Sequence, residues 1–591
     1  MRFVLSGVNV EAVPHDLFKI IDWRRHSDPK LIERELPDTV KGKYKIPCKG
    51  IDGKEDFRPL ERVIERHHSV KSFWSRMWSY ADSLSTIAAR FRLEYDYWYL
   101  KGGDPFFFRV YGDIKEWSAN ERRETLNKVI EVLARYADRA EEHGSAFVLV
   151  NELLAEFPAD SRFPFTSLKT HHWLTQAIYN NRVFWDKMSK AALSSEDANF
   201  DVFYMIRINI AEPEFHRLRE LRSFIDLRSK IMKIAKERLD EWFPLQVGDD
   251  LYLICLSRAE LPEIMDVLAG TGFGFDLYVY EWRIRREERA THPARSTEKI
   301  YLVEGVDLNR YSIGVYEEFE YSPEKVAEYA EILEGGYDYV AWVCLKPRGD
   351  MEFIARSFLE SGERELERRY GVRRVELKEP VRGPAENFLS PELALSIAEG
   401  YGNFLADCEK ALREAGFEAA IAFKSFNRTV YISGIRDLPD AYKIYSILAE
   451  RKAKLHIPSI LIVAETKPKY PFWHILELFD SVNMDSLIFV ANGKMSKLTD
   501  RHVKLIRRVI PSLRRERKRQ FYRIVNSACK DDKEVLKIKI EGLAHEKKLH
   551  PDTASKLCWL VDEIARENRN DEDKRKQITC EIFKILRMFT K

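Results

Sequence analysis

The feature that most constrains this chain is an order of segments that occurs twice. A strand-like run, DVFYMIRINIA, is followed by a long helical segment, LRSFIDLRSKIMKIAKERLDEW, and a hairpin, FPLQVGDDLYLICLS; a helix, AELPEIMDVLAG, and a strand, FGFDLYVYEWRI, complete the set. From residue 337 the order returns as YDYVAWVCLKP, SPELALSIAEGYGNFLADCEKALREAG, FEAAIAFKSFNRTVYISGI, LPDAYKIYSILAERKA and IPSILIVAE. Strand, helix, hairpin, helix, strand is the order of a ferredoxin-like unit. The chain therefore duplicates a topology without duplicating a sequence, and its fold class is α+β.

A chain of 591 residues is too long for one core. Residues 1–195 read as a helical domain, because PLERVIERHHSVKSFWSRMWSYADSLSTIAARF and RRETLNKVIEVLARYADRAEEHG carry apolar residues at three- and four-residue spacing. The duplicated units occupy 196–300 and 337–495, joined by a strand-rich connector at 301–336. Within the second, ERELERRYGVRRVELKEPVRGPAENF is charged and punctuated by Gly and Pro, the mark of an exposed insertion. Residues 496–591 read as a C-terminal helical bundle.

Composition adds bounds. The 97 Lys and Arg nearly balance 95 Asp and Glu, so any nucleic-acid surface must come from local segregation of charge. Richness in Glu, Lys and Arg with only 10 Met suits a thermophile. The seven cysteines form no CxxC pair, MRFVLSGVNVEAVPHD has no secretory apolar region, and no apolar run approaches the ~20 residues of a membrane span. A reduced, cytoplasmic location is expected.

The hairpin of the first unit carries Gly248-Asp249-Asp250. Adjacent carboxylates on a tight turn are one way to hold divalent metal against a triphosphate, although Gly and Asp are also ordinary turn residues. Two-metal chemistry further needs an acid on the neighbouring strand, where this chain has Asn209 and Ala211, with Glu212 and Glu214 just beyond. In the second unit the first strand leads to Asp350, but the hairpin turn is Ser425-Phe426-Asn427-Arg428 and has no carboxylate. Each unit keeps half of a metal site and lacks the other half.

Three stretches join the duplicated order in resembling the large, polymerase-like subunit of type III CRISPR effector complexes. RHHSVKSFWSRMWSYADSLST is similar to that family's paired-histidine and Ala-Asp-x-x-Ser helices. PADSRFPFTSLKTHHWLTQAIY looks like its Asp-x-Arg-x-Pro and Ser-Leu-x-x-His segment, and YDYVAWVCLKPRGDMEF resembles the opening strand of its second palm. The resemblance implies an N-terminal HD-like domain, two ferredoxin-like palm domains and a helical C-terminal domain. It also implies guide RNA, target RNA, repeat-fold (RAMP) backbone subunits and small helical subunits as partners, with Mg2+ or Mn2+ and ATP as cofactors wherever palm or HD activity remains. In the family the Gly-Gly-Asp-Asp turn that makes cyclic oligoadenylate sits in the second palm, the place of Ser425 to Arg428 here. The expected function is thus a large subunit that scaffolds an RNA-guided antiviral complex, with its palm cyclase degenerate. The rivals are an active cyclase or polymerase using Asp249 and Asp250 completed by Glu212 or Asp350, and an HD-type single-stranded DNase using His15, Asp16 and His67.

An HD site collects His and Asp from several helices, and the metal candidates are His15, Asp16, His67, His68 and Asp82, with His171 and His172 behind them. One unbroken helix over 60–90 would separate His68 from Asp82 by ~21 Å, so a shared metal requires a turn near Ser69 to Ser72. Histidines packed at helix contacts are the expectation. For nucleic acid, 501–523 gathers Arg507, Arg508, Arg514, Arg515, Arg517, Lys518 and Arg519 beside Phe521 and Tyr522, cations for phosphates and aromatics for bases. RIRREERATHPAR at 283–295 is a second, weaker basic stretch.

Overall fold

A computed structural model describes residues 14–590 except 50–54, 70, 90–92, 96–103, 140–141, 161–162, 195–199, 201, 212–220, 290–297, 314–336, 372–373, 377–388, 437, 468–469, 471, 492–493, 514–515 and 569–570. In the N-terminal part α1 (Leu60–Arg66) stops before the two histidines and α2 (Phe73–Ala89) starts anew, so the region read as one periodic stretch is broken where a shared metal would require. Helix α3 (Leu168–Asn180) packs on α2 and is capped by Ser167, whose hydroxyl accepts from the Thr170 amide. This part is not purely helical. Short strand pairs, such as Lys45–Lys49 with Glu55–Pro59, interrupt it.

The first sheet is built from β1 (Val202–Ile210), α4 (Leu221–Arg238), β2 (Leu245–Val247), β3 (Asp250–Cys255), α5 (Glu260–Ala269), β4 (Phe275–Arg289) and β5 (Glu298–Ile313), with strand order β5-β4-β1-β3-β2. Period-2 alternation explains its burial on both faces. Phe203 and Met205 point to one core, while Tyr204, Ile206 and Ile208 point to another that Ile231, Met232 and Ala235 of α4 complete. Residues 301–313 of the expected connector belong to β5 and pair along β4 instead; strand-like composition found a sheet edge there rather than a link. Glu212 and Glu214 lie outside the described residues.

The second sheet comes from β6 (Tyr339–Pro347), α6 (Met351–Tyr370), α7 (Pro391–Glu414), β7 (Ala419–Lys424), β8 (Thr429–Ile435), α8 (Leu438–Lys452), β9 (Ser459–Thr466), β10 (Ser486–Ala491) and β11 (Lys494–Thr499), in the order β7-β8-β6-β9-β10-β11. In both sheets the strands of the repeated order lie as fourth, first, third, second, which is the antiparallel arrangement that a strand-helix-hairpin-helix-strand chain produces. The second sheet adds β10 parallel to β9, and β11. Residues 363–370, assigned by charge to an exposed insertion, are the last two turns of α6. That helix buries Ile354, Phe358 and Leu366 beneath its charged face and ends at Gly371, whose φ of 62° serves a left-handed C-terminal turn.

Four helices of the C-terminal part are Lys518–Lys530 (α9), Lys533–His545, Pro551–Glu567 (α10) and Glu572–Leu586 (α11). A disulfide joins Cys529 of α9 to Cys580 of α11, Cα atoms 4.4 Å apart. This corrects the expectation of reduced cysteines for that pair: spacing along the chain carried no information about partners 51 residues apart. No helix among the described residues is long and apolar enough to cross a membrane. Closing a loop of this length by a covalent link is worth about 4 kcal/mol on chain-entropy grounds. Cys580→Ser should therefore destabilise the C-terminal helices by up to about that amount, read as earlier loss of helix in chemical denaturation, with peptide mapping of the parent showing the 529–580 link.

Candidate metal centre and the carboxylate seam

The Gly-Asp-Asp turn meets the second sheet. Gly248 has φ of 63°, and a Cβ there would stand 2.6 Å from the Lys424 carbonyl oxygen, so the close approach of two backbones demands glycine. The Asp249 amide donates to that carbonyl (2.8 Å), and the Lys424 amide donates back to Asp249 Oδ2 (2.7 Å). Asp250 accepts from the Phe426 amide at 2.7 Å and from the Ser425 hydroxyl at 3.1 Å. Arg228 Nε lies 3.1 Å from Asp249 Oδ2, and Arg207 Nη1 lies 3.9 Å from Asp250 Oδ2. Arg207 also donates to Asn427 Oδ1 (2.6 Å), while Asn209, paired with Asp250 across the sheet, reaches Ser425 Oγ (3.3 Å).

Both oxygens of Asp250 and Oδ2 of Asp249 are therefore engaged by donors from the opposite hairpin or a flanking arginine. Burial raises the Asp249 pKa, against the pull of Arg228 and the Lys424 amide; burial likewise pushes Asp250 up to about 6, against Arg207 and the Phe426 amide. Asp350 is exposed and caps α6, accepting from the Phe353 amide at 2.8 Å. Among the described residues Asp249, Asp250 and Asp350 belong to no group of three or more metal-ligating side chains. The Gly-Asp-Asp pattern marked a contact between sheets.

The described groups that do converge are in the N-terminal part: Asp16, His26, His67 and His68, and beside them His15, Asp16, Asp82 and His171. Asp16 is shared by both sets. Its Oδ1 lies 3.1 Å from His26 Nε2 and 3.3 Å from His67 Nε2, and its Oδ2 lies 3.1 Å from His171 Nε2. Asp82 also faces both ways, with Oδ1 3.4 Å from His15 Nε2 and 3.2 Å from His171 Nε2, and Oδ2 3.4 Å from His68 Nδ1. The break between α1 and α2 makes this possible, since it brings His68 to Asp82 while His67 meets Asp16. Sequence reasoning missed His26, which sits in an irregular turn, and Lys19, whose ammonium lies 2.5 Å from Asp16 Oδ2.

The donor set fits a divalent cation. His67 Nδ1 donates to the Ile64 carbonyl (2.6 Å), which leaves its Nε2 bare and aimed at a carboxylate; His26 Nδ1 donates to that of Trp23 (2.9 Å), and its Nε2 lies 3.0 Å from His68 Nε2 as well as facing Asp16. Bare nitrogen facing carboxylate is repulsive unless a cation lies between them. His15, Asp16 and His67 Nε2 are also buried without a hydrogen bond. Ligand atoms at right angles on ~2.1 Å bonds stand about 3 Å apart, close to the separations here. Burial drives His67 down to about 4, so it is neutral at pH 7. Burial opposes the charge on Asp16, but Lys19, His15 and His26 hold its pKa well below the ordinary value; His15, His171 and His68 do the same for Asp82. His172 serves differently: its Nδ1 meets Asn151 Oδ1 (2.8 Å) and its Nε2 accepts from the Asp16 amide (3.3 Å), bracing the ligand backbone.

The basic stretch is mixed. Arg507 pairs with Glu450 (2.9 Å) and Arg508 lies over the Trp559 ring (4.9 Å), while Arg517, Lys518 and Arg519 are exposed. Arg514 and Arg515 lie outside the described residues. Of the two aromatics proposed for stacking, Phe521 is buried in the core and only Tyr522 is exposed, since successive helical residues point about 100° apart. In the second basic stretch, 290–295 lie outside the described residues.

No family model matches the chain, and no curated protein matches it in sequence. Solved structures match along its whole length. The Csm1-Csm4 subcomplex in the type III-A CRISPR-Csm interference complex aligns with a TM-score of 0.55 at 10% identity, covering 99% of each chain. Csm1 from T. onnurineus aligns at 0.51 and 10% identity, covering 100% of this chain and 99% of that one, and a Csm1-Csm4 cassette in complex with cA4 gives the same values. The chain therefore has the mixed helix and sheet fold of Csm1 from end to end.

Asp250 supplies a pH test. Its unfolded pKa is about 3.9, so between about pH 4 and 6 the folded state keeps a proton that the unfolded chain has lost. Its contribution thus falls as pH rises through that window, by of order 2–3 kcal/mol, and levels off above. Asp250→Asn should remove that slope from the denaturation midpoint measured between pH 4 and 7.

Proposed function

We propose that this chain is the large subunit of a type III CRISPR-like effector complex whose palm cyclase is lost. The division read from the sequence, with the first palm extended through the edge strand to Ile313, serves that role: an HD-like domain up to 195, palm domains from 196 and at 337–495, and a C-terminal helical domain from 496. The observation that carries the loss of cyclase is the seam. Asp249 and Asp250 are held by the amides of Lys424 and Phe426 with Arg228 and Arg207 beside them, and the facing turn, Ser425 to Arg428, brings no acid: its Arg428 pairs with Asp480. Asp250 has both oxygens satisfied and Asp249 has its Oδ2 shared by an amide and an arginine, which leaves the pair little to offer a cation. The two sheets then act as a closed scaffold that presents the rest of the chain to a subunit of the Csm4 kind, to guide RNA and to target RNA. Arg517, Lys518 and Arg519, exposed before Tyr522 on the same stretch, are assigned to RNA phosphates.

A second reading concerns the chemistry that remains. The histidine–aspartate centre favours a divalent-metal phosphodiesterase acting on single-stranded DNA. A divalent ion bound there would polarise a phosphate and supply hydroxide near neutral pH. Asp16 and Asp82 would hold it from both sides, His67 would offer its bare Nε2 and His26 the Nε2 it now turns to His68, while Lys19 stays paired with Asp16.

With ATP, Mg2+ and target RNA, the protein copurified with its guide RNA should yield no labelled oligoadenylate, and Asp250→Ala should change nothing; product that disappears in Asp250→Ala would reverse the assignment. For the second reading, Mn2+ should support cleavage of single-stranded DNA, and Asp82→Ala should slow it at least 100-fold on the scale of losing a metal ligand.

A further inference from the structure

Helix α7, from the second sheet unit, begins against the N-terminal centre. Ser390 caps it, its hydroxyl accepting from the Leu393 amide, and Pro391 takes the first helical position. Glu392 follows, fully buried, and neither of its carboxylate oxygens makes a hydrogen bond. Three positions on one face of α7 meet α3 in register: Glu399 lies 2.9 Å from Lys169 Nζ, Ser396 Oγ lies 3.2 Å from Thr170 Oγ1, and Glu392 Oε2 lies 3.9 Å from His171 Nδ1. The first two contacts are satisfied polar pairs. The third places a buried carboxylate opposite the one ring nitrogen of His171 that does not face the centre.

We propose that Glu392 is a positioning residue for His171, accepting its Nδ1 proton so that Nε2 is presented bare to a divalent cation. This rests on the reading of the histidine–aspartate cluster as a metal centre. An imidazole that ligates through Nε2 carries its proton on Nδ1, and that proton needs an acceptor which fixes tautomer and ring orientation. His26 and His67 find theirs in backbone carbonyls one turn earlier. His171 is inside a helix, where the carbonyls are taken, and its Nδ1 faces two groups: Glu392, and Ser85 Oγ at 3.5 Å. Ser85 donates to the Asp82 carbonyl (2.8 Å) and accepts from Thr175 (2.8 Å), which leaves it a single neutral lone pair against the two free oxygens of a carboxylate. Glu392 has both oxygens to spare, and the start of α7 stabilises its charge. A shift of about 1 Å brings it within hydrogen-bond range. Burying a carboxylate with no partner is otherwise unfavourable, so the position needs the imidazolium or the metal-bound imidazole opposite it.

The test is Mn2+ binding to the full chain, followed by EPR of the free ion, for the parent, Glu392→Gln, Ser85→Ala and Glu399→Gln, each with a thermal melt. Glu392→Gln is expected to weaken Mn2+ binding at least tenfold and to move the d–d absorption of Co2+ bound in its place; Ser85→Ala and Glu399→Gln are expected to bind as the parent does, although Glu399→Gln lowers the melting temperature by breaking the contact with Lys169. Glu392→Gln binding within twofold of the parent overturns the inference and leaves the metal centre standing. A tenfold loss in Ser85→Ala overturns it too, by making the serine the acceptor, and that arm decides if Glu392→Gln does not fold. A parent that binds no Mn2+ overturns both this inference and the metal-centre reading.

Discussion

A buried carboxylate must find donors, and in this molecule the donors for Asp249 and Asp250 come from another part of the chain. The amides of Lys424 and Phe426 sit at the end of one hairpin, while the acids sit at the end of another some 175 residues away. Neither turn satisfies itself. Because the Asp249 amide also donates to the Lys424 carbonyl, the contact is a two-way exchange like that between paired strands, and it fixes the relative placement of the sheets as well as their separation. Arg207 and Arg228 supply the countercharge, and Arg228 reaches past Asp249 to the carbonyls of Ile421 and Ala422. Geometry that would serve catalysis on an open hairpin serves cohesion once a partner turn is close enough to donate.

The N-terminal centre obeys the same rule by other means. Asp16 and Asp82 are buried with few hydrogen bonds, and what surrounds them is imidazole, with one ammonium from Lys19. Imidazoles already donating to backbone from Nδ1 have no proton left for a carboxylate. Lys19 and His171, whose pKa burial would lower but the facing carboxylates raise, supply countercharge from within the chain, and the bare Nε2 of His67 is the feature that distinguishes this cluster from a set of fully paired histidines.

Much of the fold was legible because alternation along the strands is strict. Phe203 and Met205 on one side and Tyr204, Ile206 and Ile208 on the other announce a strand with two buried faces, and the same pattern recurs in β6 and β9. The C-terminal turns of α6 were hidden because the charged residues of ERELERRY outnumber Leu366, although Asp350 and Gly371 mark that helix's two ends. Asp350 was weighed as a metal ligand when its place before Met351 made it a cap. The acids of the first hairpin were visible and their partners were not, since backbone amides leave no trace in composition. For the metal centre, the need for a break after His68 could be stated from helix geometry alone. His26 and Glu392 could not be reached that way: one lies in an irregular turn and the other enters from more than 200 residues downstream, with no local pattern to announce it.

The N-terminal helical part shares its interior with helix α7. Leu393, Ile397 and Phe404 of that helix belong to the same continuous core as Leu168, Leu174 and Trp78. Excising the first two hundred residues would strip this wall away and leave an apolar trough open to water, so the fragment would be sticky and loosely packed rather than a miniature of the parent. Autonomy along the sequence and autonomy in space part company here, and any dissection of the molecule would have to cut through a core instead of between two.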